Sequence, residues 1–272
     1  MNVVIIGCGY VGSAVARYWQ HEIYLTVTAT TTTPERIPNL QVLSQRVRLL
    51  KCSDTEELKY ILEGQETALV SVGSKSSNSY EESYLKTAEA LVHVLQNNST
   101  LKQLIYTSST SVYGDQRINL VSEEDNPNPI SYKNRILLRT EELLLSMSSK
   151  KLNICILRLG GIYGPDRELV KIYSRFAGNS RLGNGQKPAN WIHLDDIVGA
   201  IEFTRQHNLQ GVYNLVDDSK LTQGQVIEKV CEKYSLQPVI WDYNERRQVQ
   251  HNISNQKIKD AGYQFIHPKI IF

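Results

Sequence analysis

Long apolar runs are missing from this sequence of 272 residues, and no stretch approaches the ~20 apolar residues a membrane helix needs. Cysteine is scarce. The four are Cys8, Cys52, Cys155 and Cys231, with no CxxC pair and no close Cys/His spacing. That pattern argues against a disulfide framework or zinc site and for reduced thiols. Charge of one sign is not in excess either. A formal net charge of +2, without a basic cluster carrying interleaved aromatics, makes nucleic acid and membrane surfaces unexpected partners. Met1-Asn2 leads straight into Val3-Val4-Ile5-Ile6 with no basic region or cleavage site, so a soluble, cytoplasmic protein is expected. His21, His93, His207, His251 and His267 show no mutual spacing that suggests a metal, and no metal site is expected.

What is present is ordinary globular material. Hydrophobic residues make up 41% and charged residues 21%, enough for one substantial core and a smaller appendage acting on a small molecule. Short β-branched runs at Asn2–Ile6, Ile23–Thr30, Val47–Lys51, Ala68–Val72, Gln103–Thr107, Asn153–Leu157 and Val212–Val216 are apolar along most of their length. Strands buried on both faces of a parallel sheet read this way. Between them, Val11–Gln20, Tyr84–Gln96 and Ile136–Met147 repeat apolar residues at helical spacing, and Asp195 stands where it can cap a further helix. After Gly160 the pattern loosens. Residues 166–190 predict a short helix and an irregular loop, and Thr222–Tyr234 another helix. The expected division is a core over residues 1–160, a discontinuous cap from 161–190 and 220–272, and 191–219 returning to the core.

The chain carries one strong local motif. Val3-Val4-Ile5-Ile6-Gly7-Cys8-Gly9-Tyr10-Val11-Gly12 is a strand, a glycine-rich turn and a helix start in that order. Gly7 permits a tight turn, Gly9 lets backbone approach a pyrophosphate, and Gly12 lets the helix pack on the strand. Phosphate then meets free N–H groups at the helix start. The fold class this predicts is α/β: a Rossmann doubly wound parallel sheet with a small discontinuous C-terminal cap. At the end of the second strand, Thr30-Thr31-Thr32-Thr33-Pro34-Glu35-Arg36 replaces the Asp or Glu that usually holds both ribose hydroxyls. Hydroxyls and a guanidinium suit a 2′-phosphate, so NADP is expected over NAD. Ser71, Val72 and Gly73, after the fourth strand, are further candidate cofactor contacts at the point where sheet order reverses.

Five ordered motifs extend over the rest of the chain. They are Tyr106-Thr107-Ser108-Ser109-Thr110-Ser111-Val112-Tyr113-Gly114-Asp115, Leu157-Arg158-Leu159-Gly160-Gly161-Ile162-Tyr163-Gly164-Pro165, Trp191-Ile192-His193-Leu194-Asp195-Asp196, Gly211-Val212-Tyr213-Asn214-Leu215 and Asn255-Gln256-Lys257-Ile258-Lys259. Through them the sequence resembles the extended short-chain dehydrogenases/reductases grouped as NAD-dependent epimerases/dehydratases, and within these an atypical, YeeZ-like bacterial subgroup. The resemblance implies a Ser–Tyr–Lys site for hydride transfer at a sugar-type hydroxyl. It also implies cofactor contacts at Thr107, Gly160 and Gly161, and a homodimer through helix 136–147. Ser109 occupies the serine position. Tyr132 and Lys133 are the candidates for the other two, but four residues beyond Tyr132 stands Ile136, and alignment on Glu141 puts Leu137 at the lysine and Lys133 at the tyrosine. The glycine loop departs as well, with Ile6 where the first glycine of GxxGxxG would stand.

Two readings follow from these residues. One is an NADP-dependent oxidoreductase or epimerase/dehydratase-like enzyme acting on a small hydroxyl or carbonyl compound, with Ser109, Tyr132 and Lys133 at the chemistry. The other is a non-catalytic NADP-binding regulator or redox sensor. The expected cofactor contacts are Gly7, Gly9, Tyr10, Val11, Gly12, Thr30, Thr31, Arg36, Ser71, Val72, Gly73, Thr107, Gly160 and Gly161. His193 and Asp195 are expected to fix the start of the helix that follows them.

Overall fold

Each of the seven β-branched runs forms a strand in the computed structural model, which describes residues 1–51, 54–74, 80–96, 100–114, 120–243 and 251–272. Cys52 and Asp115 lie outside the described residues. The strands are β1 (Asn2–Ile6), β2 (Thr26–Thr31), β3 (Arg46–Leu49), β4 (Thr67–Val70), β5 (Gln103–Ser109), β6 (Asn153–Leu159) and β7 (Gly211–Leu215). They form one sheet in the order β7-β6-β5-β4-β1-β2-β3. Its registers from β3 to β5 are parallel, Val3 lying beside Val27 on one side and Thr67 on the other. Sheet order reverses between β1 and β4, which opens the crevice where doubly wound folds bind ligands. β2 begins later than its apolar run suggests, because Tyr24 is exposed in a turn at φ 57°.

The longer helices are α1 (Tyr10–His21), α2 (Thr55–Leu62), α3 (Thr87–Leu95), α4 (Tyr132–Leu145), α5 (Leu194–Gln206) and α6 (Gln223–Lys233). A π-helical turn, Glu82–Lys86, runs into α3. Alternate strand residues Val4, Ile6, Ala68, Val70, Leu104, Tyr106, Ile154 and Ile156 point to one face, where Leu58, Ile61, Leu91 and Leu144 bury against them. Each such aliphatic side chain contributes roughly 1.5–3 kcal/mol by leaving water. Trp19 of α1 is fully buried, and its indole N–H donates to Glu202 of α5 at 2.8 Å.

Contacts divide the chain into two units, each assembled from three segments. The first comprises residues 1–112, 129–158 and 198–213; the second comprises 113–128, 159–197 and 214–272. Besides the 161–190 and 220–272 expected of a cap, the second unit holds 113–128, 159–160, 191–197 and 214–219. Short parallel strand pairs knit it together: Gly161–Tyr163 with Trp191–His193, Ser180–Leu182 with Ile240–Asp242, and Leu120–Val121 with Asn252–Ile253. Its own core gathers Tyr163, Leu169, Tyr173, Ala189, Val226, Ile227, Val230 and Ile270. Asp195 does not cap α5. The helix begins one residue earlier, at Leu194, and the Asp195 N–H donates to Nδ1 of His193 at 3.2 Å.

Candidate functional site

The turn after β1 takes its shape from its glycines. Gly7 sits at φ +91°, in the left-handed region, and a Cβ there would stand 2.7 Å from the Ser71 carbonyl oxygen. A Cβ on Gly12 would lie 2.4 Å from the Gly7 oxygen, because α1 is pressed against the turn it leaves. Gly9, by contrast, faces open space, with nothing within 4 Å of a Cβ built on it. It precedes the first turn of α1, where no side chain caps the helix, leaving a gap at the kind of helix start that binds phosphate. Strand β2 braces this turn: Gly7 N–H donates to Thr30 Oγ1 at 3.0 Å and Cys8 N–H to the Thr30 carbonyl at 3.0 Å.

Around that gap is a cleft of about 310 Å³ lined by Gly7, Cys8 and Gly9, by residues 30–33 with Arg36, by Leu50 and Lys51, and by residues 71–74 with Ser83 and Thr87. Among the described residues no carboxylate lines it. Glu35 is exposed beside Arg36 and does not reach the lining. The Arg36 guanidinium donates to Ser13 Oγ at 3.3 Å, which fixes it over the start of α1. Lys51 is a second cation here that sequence reading passed over. The Cys8 thiol is pushed up to about 12 by burial, so it stays protonated and acts as a small packed side chain. Thr107 lies behind the lining, its Oγ1 3.2 Å from Ser71 Oγ. Tyr10 is half-buried and Val11 buried at the start of α1.

The positions matched to the catalytic residues lie elsewhere in the same unit, and none lines this cleft. Ser109 ends β5 half-buried, its Oγ accepting the Ser111 N–H at 3.2 Å. Ser131 caps α4, so Tyr132 and Lys133 fall in the first turn of a helix that starts four residues ahead of the expected Ile136. Tyr132 is 58% exposed and its hydroxyl donates to Glu81 at 2.5 Å. That bond raises the tyrosine's pKa, the opposite of what a lysine partner does to a phenol. Lys133 is exposed, its ammonium 5.6 Å from the centre of the Tyr80 ring. Ile136 and Leu137, which the two alignments place at the lysine position, are both buried in apolar surroundings.

What holds this region is a buried trio that sequence reading also passed over. Arg158 of β6 reaches Glu141 of α4 with Nη2–Oε2 at 2.7 Å, and Ser108 Oγ donates to Glu141 Oε1 at 2.5 Å. Beside the cleft, Tyr84 rises from the π-turn with its ring 4.5 Å from that of Tyr80. Burial raises the Tyr84 pKa, while bonds from the Tyr80 hydroxyl and the Ser74 backbone pull the other way.

The remaining expected contacts, Gly160 and Gly161, belong to the second unit. Gly161 N–H donates to the Asn190 carbonyl at 2.7 Å, and a Cβ at Gly161 would stand 2.8 Å from the Trp191 ring. The same unit brings together His193, Asp195 and His267, which no sequence spacing indicated.

Comparison with known proteins agrees with this architecture. The family model described as NAD dependent epimerase/dehydratase family matches residues 3–215. Protein YeeZ of Escherichia coli (strain K12) is 27% identical over 248 residues, covering 87% of this chain and 85% of that protein. Among solved structures, MoeE5 in complex with UDP-glucose and NAD superposes with TM-score 0.77 at 20% identity, covering 96% of this chain and 92% of that one. Human epimerase family protein SDR39U1 with NADPH superposes with TM-score 0.78 at 16% identity, over 99% and 96%. At these identities the two structures share the fold. The chain belongs to the NAD dependent epimerase/dehydratase family.

Proposed function

We propose that this family member binds NADP, in preference to NAD, in the cleft between the β1 and β4 loops, and that it is an oxidoreductase or epimerase/dehydratase-like enzyme for a small hydroxyl or carbonyl substrate. The observation that carries the cofactor reading is the cleft's charge: Arg36 and Lys51 beside Thr30, Thr31, Thr32 and Thr33, and no carboxylate among the described lining residues. A 2′-phosphate finds two cations and several hydroxyl donors there, whereas the usual ribose-binding acid is missing. Gly9 leaves the approach to the helix start clear for a pyrophosphate. The two structural neighbours, one in complex with NAD and one with NADPH, support a nicotinamide dinucleotide of either kind. When bound, it supplies hydride exchange with a carbon bearing oxygen. In this reading the chain's own part is to hold the phosphates on the β1 turn, to set the 2′-phosphate against Arg36 and Lys51, and to orient substrate oxygen with Ser109. Homodimerisation through helix 136–147 and a cytoplasmic setting belong to the same reading.

Titrating the protein with NADPH and NADH by nucleotide fluorescence tests the preference. NADPH is expected to bind at least about tenfold tighter, each lost charge-assisted contact being worth roughly 1.5–3 kcal/mol. Arg36→Ala and Lys51→Ala should each narrow that ratio while leaving NADH binding nearly unchanged. Tighter NADH binding by the wild type overturns the NADP assignment.

One observation favours the second reading, a dinucleotide-binding regulator without turnover. Tyr132 is engaged by Glu81 and Lys133 lies against Tyr80, so neither stands as an acid/base pair. Turnover of NADPH across a panel of carbonyls and sugar nucleotides separates the two. Consumption with any of them supports the enzyme; silence across the panel with NADPH binding intact supports the regulator.

A further inference from the structure

Three residues far apart in sequence converge in the second unit. His193 ends the short strand Trp191–His193, Asp195 lies in the first turn of α5, and His267 comes from the C-terminal segment. Asp195 Oδ2 is 3.4 Å from His193 Nδ1 and 3.0 Å from His267 Nε2. One donor atom from each residue lies within 4.8 Å of the other two. Two ligands bound to zinc at ~2.0–2.1 Å across a tetrahedral angle stand roughly 3.3 Å apart. The two measured spacings bracket that edge.

The three positions are set by bonds that need no ion. The fully buried Asp196 carboxylate accepts the Ile266 N–H at 2.6 Å and the His267 N–H at 3.0 Å, and the Tyr263 hydroxyl donates to the Asp196 carbonyl at 2.9 Å. The backbone of His267 is thereby pinned beside the residue adjoining Asp195. His193 is held by strand pairing with Tyr163, whose ring meets the imidazole edge-on at 5.0 Å. The two imidazoles lie 4.1 Å apart, and the Asp195 side chain is 52% exposed, which leaves one side open to solvent. One contact stands against ligation: the long Asp195 N–H bond to His193 Nδ1, at 3.2 Å, would be given up if that nitrogen took the ion.

We propose that His193, Asp195 and His267 bind one divalent transition-metal ion of the zinc type, with the fourth position open to water or to an oxygen ligand. Two imidazoles and one carboxylate suit zinc and its neighbours better than calcium or magnesium, which want oxygen alone. Three protein ligands with an open position is the arrangement of reactive zinc sites, not of sealed structural ones. The ion would clamp the C-terminal segment onto the start of α5. The proposal does not rest on the dinucleotide reading, and its test does not depend on turnover.

The test uses the full chain without a histidine tag, stripped with chelator and titrated with zinc chloride by calorimetry. One ion per chain is expected, with thermal stability rising as zinc is added. His267→Gln and Asp195→Asn should each weaken zinc by at least about tenfold, the scale seen even for partners behind the ligands. His207→Gln, at an exposed histidine of the first unit, should leave it unchanged. Cobalt gives a second readout, visible absorption of a low-coordinate site in the wild type and its loss in His267→Gln. Circular dichroism establishes that each variant is folded, and if His267→Gln is not, Asp195→Asn carries the comparison. Absence of zinc heat and cobalt colour in the wild type, or binding that survives both ligand substitutions, overturns the proposal.

Discussion

A methyl group added at Gly9 and one added at Gly12 meet different surroundings, and the difference separates folding from binding. At Gly12 the new carbon would lie 2.4 Å from the Gly7 oxygen, so α1 must move away from the turn. Gly12→Ala should cost about 1–3 kcal/mol, as overpacking does, and should lower the urea midpoint. At Gly9 nothing in the protein is near, so Gly9→Ala should keep the midpoint within about 1 kcal/mol of the wild type. NADPH affinity should still fall in Gly9→Ala, since the methyl occupies the phosphate's approach. Equal midpoints for the two variants would contradict this reading of the turn. Arg36 was legible in the sequence because its charge and its distance from the glycines were both visible. Lys51 was not, because β3 had to be placed beside β2 before its side chain could be set in the same cleft.

At the scale of elements, α4 owes its position to one carboxylate. Glu141 joins the helix to β6 through Arg158 and to β5 through Ser108, and all three side chains are buried. Removing one partner of such a pair strands the other charge in apolar surroundings. Glu141→Ala should therefore cost about 3–5 kcal/mol in urea unfolding, well above the ~1 kcal/mol expected for the exposed Arg139–Glu142 pair. An unchanged midpoint would show that Arg158 finds another partner. Strands such as β1, β4 and β6 were legible because burial on both faces writes a mostly apolar run, which the partly exposed edge strand β3 lacks. Helix α2 was not, although Asp54 accepts the Glu57 N–H and so supplies a helix-start signal ahead of only eight residues. For α4 the Ser131 cap set the start four residues ahead of the apolar stripe that revealed the helix. That cap places Tyr132 and Lys133 in the helix's first turn. The His193–Asp195–His267 cluster could not be seen at all, since its members share no period and meet only through tertiary packing.

For the whole molecule, pH dependence has one clear internal source. Asp217, buried in the second unit, is pushed from 3.8 up to about 7, chiefly by burial, and among the described residues its Oδ2 has no hydrogen-bond partner. The folded state keeps a proton that the unfolded chain releases near pH 4. The cost of this group is thus absent at low pH, grows as pH rises from about 4 to 7, and is level above that. A carboxyl moved so far represents up to ~4 kcal/mol. Asp217→Asn should flatten the fall in Tm between pH 5 and pH 8, read by thermal melts across that window. If the wild type melts at one temperature throughout, Asp217 is not charged at a cost. The division of the chain into six alternating segments has a consequence for how such a protein is made and inherited. The polypeptide passes between the units five times, once at each junction of those six segments. Neither unit is complete on the ribosome until late in synthesis: the first needs residue 213 and the second draws on residues up to 272. No single cut in the gene releases either one, so neither unit can be gained or lost as one uninterrupted piece.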